Sequence, residues 1–320
     1  MGHFAMACAA LALASNFEAE DPSHDLKLSP VRLTPNVYLV QGDPGVASAA
    51  NRGFNSNAAF VATADGVVVI DALGTPALGR ALLRAIRDTT DRPVRRVILT
   101  HYHADHSYGL GALREVGAEI WAHGEGRSYL ESADAQRRVA QRRSELAPWF
   151  DAGSPLVPAT RWLTDDASFS MGGVRFEIVY LGPAHSPEDV TIVLPDEGVV
   201  FSGDILFAGR IPFVGEADSR RWLAAIDRLL QRRPRLLVSG HGPPSRHPEA
   251  DLTLTRDYLT YLRKQMGTAA RDMIPFEQAY AATDWSAFSK LPAFEQANRI
   301  NAYGTFLTME REMLETPATR

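Results

Sequence analysis

The sequence predicts an α/β protein built as an αββα sandwich with extra C-terminal helices, and three observations lead there. A plan of apolar strand, amphipathic helix, second apolar strand and a polar exit turn occurs twice along the 320-residue chain. The stretch between the two copies carries alternating and continuous apolar runs, as sheets require. Beyond residue 250 the periodicity is helical only. Elements in that order bury their apolar faces best as two sheets packed on each other with helices outside. The expected organisation is a leader over residues 1–20, a sandwich domain over 30–250 and a helical extension over 251–320.

The leader comes first. Ala5 to Ala14 is a short apolar segment ending in Ala12-Leu13-Ala14 and followed by Ser15-Asn16, like the apolar region and cleavage site of a secretory signal, though no Lys or Arg precedes it. A periplasmic or secreted location and a disordered cytoplasmic leader both stay open. The segment is too short to span a bilayer, so no stable membrane insertion is expected.

In the first copy of the plan, Val67 to Ile70 is a β-branched run ending in Asp71. Thr75-Pro76 then opens a helix as N-cap and first-turn proline. Leu78, Leu82, Leu83 and Ile86 give its apolar stripe, Pro93 follows it, and Val94 to Leu99 forms a strand that delivers His101. An α segment is expected from about Glu125 to Phe150. Val174, Phe176, Ile178 and Tyr180 then alternate with polar residues as a half-buried strand, and Pro195 to Gly198 forms a hairpin turn between Val190–Leu194 and Val199–Phe201. In the second copy, Val199 to Phe201 ends in Ser202-Gly203-Asp204, a helix from about Asp218 carries Trp222, Leu223, Ile226, Leu229 and Leu230, and Leu236 to Val238 leads to Ser239-Gly240-His241. The tail has two stripes, Leu254, Tyr258, Leu259, Leu262 and Ile300, Tyr303, Phe306, Leu307, separated by a polar linker around Ala281 to Lys290. Such helices pack on the domain or pair two copies as a homodimer.

Composition narrows the function. A net charge of -5 supplies no broad basic field, which argues against nucleic acid as a partner. Arg137, Arg138, Arg142 and Arg143, on a helix with Glu131 and Glu145, read as a solvated face. Cys8 is the one cysteine, so there is no internal disulfide and no thiolate metal cluster. Any metal is held by nitrogen and oxygen.

Seven residues have that chemistry and sit at strand exits: His101, His103, Asp105, His106, His185, Asp204 and His241. The other histidines, His3, His24, His123 and His247, do not share the pattern. His101 and His103, two apart on an extended segment, share a face. Asp105 and His106 follow in a turn that can aim them at a second ion nearby. Packing three imidazoles and a carboxylate so tightly makes sense chiefly around a cation, and imidazole with carboxylate suits zinc, with manganese or iron as alternatives.

The block His-x-His-x-Asp-His, with His185, Asp204 in Phe201 to Phe207 and His241 in Ser-Gly-His-Gly-Pro, resembles the metallo-β-lactamase superfamily over Val37 to Arg246. The resemblance implies the αββα sandwich with two zinc ions per chain at one edge. It implies His101, His103 and His185 on the first zinc, Asp105, His106 and His241 on the second, and Asp204 bridging them. The implied activity is a dinuclear zinc-dependent hydrolase in which a metal-bridging hydroxide attacks an acyl carbonyl and one metal stabilises the oxyanion. Asp105 is implied to orient that hydroxide and carry a proton, as the catalytic residue. Asp71 is a candidate to support the ligands from behind, with a capped turn as the other reading.

The ligand set resembles hydroxyacylglutathione hydrolase (glyoxalase II) and its relatives more than antibiotic-degrading β-lactamases, which carry cysteine or serine where this chain has Asp204. Asn51 to Asn57, Phe207 to Pro212 and Asn301 to Gly304 also resemble the zinc metallohydrolases of bacterial quinoprotein and sulfur-oxidation systems, which are often exported. The expected substrate is a small acyl compound, a thioester or lactone. Arg52 and Arg210, in loops expected to border the metals, are candidate contacts for an anionic substrate. β-Lactamase activity, phosphodiester hydrolysis and a non-catalytic metal or redox protein remain the alternatives.

Overall fold

The computed structural model describes residues 21–315 except 152 and 216, so the leader expected over 1–20 lies outside the described residues. Strands β1 (Val31–Arg32), β2 (Val37–Val40), β3 (Ala58–Thr63) and β4 (Gly66–Ile70) run antiparallel in succession. Helix α1 (Pro76–Thr89) crosses back and lets β5 (Val94–Ile98) pair parallel with β4. Short helices α2 (Ala104–Ser107) and α3 (Leu110–Glu115) lead to β6 (Glu119–His123), and α4 (Gly126–Leu130) and α5 (Ala133–Glu145) lead to β7 (Arg161–Leu163). That completes a seven-stranded sheet in the order β1 to β7. The second sheet takes β8 (Ala167–Met171), β9 (Val174–Tyr180), β10 (Val190–Leu194), β11 (Val199–Phe207) and, after α6 (Ser219–Gln231), β12 (Leu236–His241). Its order is β12-β11-β10-β9-β8, with β11 and β12 parallel. Helices α7 (Pro248–Arg271), α8 (Phe276–Ala282) and α9 (Phe294–Glu315) follow.

The period of two along a strand sends neighbouring side chains to opposite faces. Val67 and Val69 enter an outer core with Leu78, Leu82 and Ile86 of α1, while Val68 and Ile70 enter a core between the sheets with Phe176, Ile192, Phe201 and Val238. A third core joins Val179, Val193, Val200 and Leu237 on the far face of the second sheet to Trp222, Ile226 and Leu229 of α6 and Leu252, Leu259 and Leu262 of α7. Every central strand is thus covered on both faces, which is why these runs read as continuously apolar. The layers are helix, sheet, sheet, helix, as the sequence predicts. The caps agree as well: Thr75 Oγ1 accepts Leu78 N–H at 3.1 Å and an Asp218 carboxylate oxygen accepts Arg221 N–H at 3.0 Å.

Three details depart from expectation. β11 does not end at Asp204 but runs to Phe207, because Gly203, at φ 52°, shifts the register against β12 and turns the strand without breaking it. His123 does end a strand, β6, and is buried with its ring stacked on Tyr180 at 3.9 Å. The apolar stripe of α9 is split: Phe306 is buried, but Ile300, Tyr303 and Leu307 are exposed. The helix turns Ala297, Asn298, Asn301 and Thr305 inward instead. Asn301 repays that choice with hydrogen bonds, accepting Val214 N–H at 2.8 Å and donating to Pro212 O at 2.7 Å. No helix among the described residues is long and apolar enough to cross a membrane.

Candidate metal centre

The parallel pairs β4–β5 and β11–β12 send their C-terminal ends to the same edge of the sandwich. The exit of β5 carries residues 99–106, the β9 to β10 loop carries His185, the bend at Gly203 directs Asp204, and β12 ends in His241. The seven residues divide into two groups whose ligand atoms lie within 4.8 Å of one another: His101, His103, His185 and Asp204; and Asp105, His106 and His241. In the first, His103 Nδ1 is 3.1 Å from His101 Nε2 and 2.8 Å from His185 Nε2. Asp204 Oδ2 is 3.8 Å from His101 Nε2 and 3.3 Å from His185 Nε2. In the second, His241 Nε2 is 3.4 Å from Asp105 Oδ2 and 3.4 Å from Asp204 Oδ2, and His106 Nε2 is 3.3 Å from Asp204 Oδ1.

These residues fit a pair of cations. Tetrahedral bonds of about 2.05 Å place neighbouring ligand atoms about 3.3 Å apart, in the middle of the observed separations. His106 Nε2 and Asp204 Oδ1, though close, are out of line for a hydrogen bond, and each is a buried polar atom without a partner. Such atoms are costly unless something else binds them. The charges agree. Asp71, Glu188 and Asp204 are buried around this edge and Asp105 is half-buried, against one buried guanidinium, Arg210, among the described residues. Divalent cations would neutralise that excess.

His101, His103 and His185 are held as neutral donors rather than as acids. Burial pushes His185 down to about 3 and His101 well below its ordinary value, helped by neighbouring imidazoles, so both stay neutral. His103 is lowered by burial too. For Asp204 burial works upward, but His241 and His106 override it and hold the carboxyl well below the usual range. For His106 burial works downward, and Asp204, Asp71 and Asp105 override it to hold the imidazole well above. Burial pushes Asp189 well above the carboxylate range; its oxygens accept Ser186 N–H at 2.7 Å and Ser186 Oγ–H at 2.8 Å.

A second layer of bonds aims the rings. Asp71 accepts Thr100 N–H at 2.8 Å, Thr100 Oγ–H at 2.8 Å and His106 Nδ1–H at 2.9 Å. Thr100 Oγ1 lies 3.0 Å from His101 Nδ1, so one carboxylate orients two ligands. Asp71 does this from a left-handed backbone, φ 59°, a conformation that carries strain in a non-glycine residue. His241 Nδ1–H donates to Asn55 O at 2.7 Å, and Asn55 Nδ2 donates to Asp105 Oδ2 at 2.8 Å. Glu188 accepts Tyr102 N–H at 2.9 Å and pins the ligand loop. His185 is wedged against Trp222, ring centroids 5.0 Å apart.

Asn55, Thr100 and Glu188 escape a reading of the sequence by residue type. The run Asn55-Ser56-Asn57, three small polar residues directly before an apolar strand, is the signal that marks the first. Of the two arginines expected at the substrate, Arg210 is buried, donating to Gly45 O at 2.9 Å and standing 3.4 Å behind His241 Nδ1. Arg52 donates to Asp25 O at 3.0 Å and lies over Trp149. Neither is brought to the ligand groups as a free cation.

Comparison with known proteins agrees with this geometry. The family described as metallo-beta-lactamase superfamily matches residues 51–241, more than half of the chain. The linear primary-alkylsulfatase of a Pseudomonas species is 22% identical over 238 residues, 63% of this chain and 44% of that protein. The alpha subunit of 2,4-dinitroanisole O-demethylase of a Nocardioides species is 30% identical over 180 residues, 55% of this chain and 49% of that protein. The chain thus spans about half the length of these curated relatives. Among solved structures, a stereoselective inverting sec-alkylsulfatase from Pseudomonas superposes with a TM-score of 0.67 at 18% identity, covering 88% of this chain and 50% of that one.

Proposed function

The chain belongs to the metallo-beta-lactamase superfamily, whose members are metal-dependent hydrolases, and on that footing we propose that it is a dinuclear zinc hydrolase acting on acyl compounds, thioesters and lactones first. The observation that carries this reading is the reach of Asp204, whose Oδ2 lies 3.3 Å from His185 Nε2 in one group and 3.4 Å from His241 Nε2 in the other. One carboxylate serving both groups favours a bridged pair over two independent sites. Nitrogen and oxygen donors without thiolate suit zinc, with manganese and iron as the metals to compare.

Bound there, two zinc ions supply a water acidified to near neutral pH and an electrophile for the carbonyl oxygen. The chain's own residues do the rest. Asp105 has a side chain 20% exposed, against 4% for Asp204, so it is the carboxylate that faces the open side. Asn55 holds Asp105 Oδ2, which leaves Asp105 to orient the nucleophile and pass its proton toward the leaving group. Trp222 and Phe207 close the back of the His185 ring and exclude water there.

Sulfate-ester hydrolysis is the second reading, favoured by the similarity to the primary alkylsulfatase over 63% of this chain. The test is a panel of a thioester, a homoserine lactone, a chromogenic cephalosporin, an alkyl sulfate and a phosphodiester, with wild type and Asp105→Ala. Asp105-dependent turnover of thioester or lactone supports the principal reading. Turnover of the alkyl sulfate alone moves the assignment to the second, and metal-loaded protein inert toward the whole panel rejects both.

A further inference from the structure

Of the seven ligands, only His103 and Asp105 are partly exposed, so substrate arrives on their side. That side has a wall. Tyr129 of α4 stands edge-on to His103, ring centroids 6.5 Å apart. Among the described residues its hydroxyl has one partner, the Tyr108 hydroxyl at 3.5 Å, which is longer than a strong O–H···O bond and leaves the Tyr129 hydroxyl able to bind something better. Tyr108 is buried against Val139, Leu146 and Phe150, and so it joins α5 to the ligand loop. Ala135 and Val139 form the buried stripe of α5. Arg138 and Arg142 border that stripe, one and three residues from Val139.

The four arginines of α5 are not equivalent. Arg137 pairs with Asp134, Arg142 with Glu145 at 3.3 Å, and Arg143 donates to Ser154 O at 2.7 Å. Arg138 is exposed and, among the described residues, its side chain donates to the neutral side chain of Gln141 alone, at 3.1 Å. Val139, the neighbour of Arg138, packs with Tyr108, whose hydroxyl meets that of Tyr129, so the turn of α5 that carries Arg138 lies against the wall.

We propose that Tyr129 and Arg138 form a subsite, beside the open face of the metal centre, that receives an anionic oxygen group of the substrate, carboxylate or sulfate, at the end remote from the scissile bond. The hydroxyl donates one hydrogen bond and the guanidinium supplies the countercharge, two donors suited to a planar or tetrahedral oxyanion. The inference rests on the hydrolase reading, and it extends that reading from the bond broken to the substrate selected. Arg138 and Tyr129 act on binding; neither is placed to touch the reacting atoms.

The test compares the mono-4-nitrophenyl ester of glutaric acid, which is anionic, with 4-nitrophenyl pentanoate, which is neutral and of similar length. In zinc-loaded Arg138→Ala and Tyr129→Phe, the ratio of kcat/KM for the anionic ester to that for the neutral ester should fall about fivefold to tenfold, through KM, the size expected of one charge-assisted contact in partial solvent. Arg138→Lys should restore most of it. A ratio unchanged in both variants, or one that falls equally in Arg137→Ala, overturns the proposal. Should the wild type hydrolyse neither ester, the hydrolase reading is what fails; calorimetric titration with glutarate and with sulfate then decides the subsite, by whether Arg138→Ala weakens binding and of which anion. Equal binding of both by wild type and variant rejects it.

Discussion

Gly240→Ala removes no ligand, yet it should dismantle the metal centre. A Cβ built on Gly240 falls 1.9 Å from Asp204 Oδ1, and real Cβ atoms essentially never approach a heavy atom closer than 3.0 Å. The two must separate by more than about 1 Å, a displacement that costs about 10²-fold in rate when it misplaces a catalytic group. Nothing nearby yields easily. Asp204 is 3% exposed, Gly203 C lies 3.0 Å from the same Cβ, and Asn57 N–H anchors Gly240 O at 2.8 Å. The overpacking should cost about 1–3 kcal/mol of stability. The assay is elemental analysis of the purified variant beside its melting temperature and kcat/KM, with Gly111→Ala as control, since a Cβ there meets nothing within 4 Å. Expected are loss of at least one metal and about a hundredfold fall in kcat/KM for Gly240→Ala, and wild-type values for the control. A Gly240→Ala protein with full metal content and activity within about twofold of wild type would show that Asp204 tolerates the added methyl group.

Other consequences follow from the same contacts. Asp71→Ala, which frees Thr100, His101 and His106 together, should lower metal affinity by about 10- to 100-fold in a competition with a fluorescent chelator, and Asp71→Asn should fall between it and wild type. Metal-free protein should be most stable near pH 6.5, the ordinary histidine value. Below it, His101, His103 and His185 stay neutral when folded but take protons when unfolded, so stability falls toward about pH 3 for His185; above it, His106 keeps its proton only when folded, so stability is lost as pH rises through its raised folded value. Urea midpoints at pH 5, 6.5 and 8 check this, and a monotonic trend would count against it. Trp222→Ala should cost about 3–5 kcal/mol and loosen His185, seen as a lower urea midpoint and faster metal release. Arg210→Ala should lower the melting temperature and metal content rather than raise KM alone, because its guanidinium is bound to backbone behind His241; a pure KM effect would return it to the substrate.

Local chemistry made much of this legible. Continuous apolar runs of four to six residues, a Thr-Pro helix start and a Pro-Asp-Glu-Gly turn are short-range signals, and the strands, α1 and the β10 to β11 hairpin follow them. The density of ligands in residues 101–106 needs no tertiary knowledge, and the strand and helix plan repeated around Asp71 and Asp204 anticipates that both halves reach one edge. What stayed hidden depends on pairs distant in sequence. Asn55 meets Asp105 and His241 across 50 and 186 residues, and Glu188 meets Tyr102 across 86. Arg210 reads as a loop cation until the fold buries it on Gly45 O. The end of β11 lies beyond the expected one because Ser202-Gly203 resembles a stop, whereas the glycine bends the strand and lets it continue. The inward face of α9 stays hidden for a similar reason: Asn298 and Asn301 find their partners in Tyr258, Val214 and Pro212, all distant in sequence.

In the proposed hydrolase one carboxylate, Asp204, unites two metal positions into a single centre. Stepwise addition of zinc to metal-free protein, with thioester turnover read at each step, tests it most directly. Turnover should saturate at two equivalents in the wild type and be lost in Asp204→Ala at every zinc level. Saturation at one equivalent, or full turnover without Asp204, would contradict it.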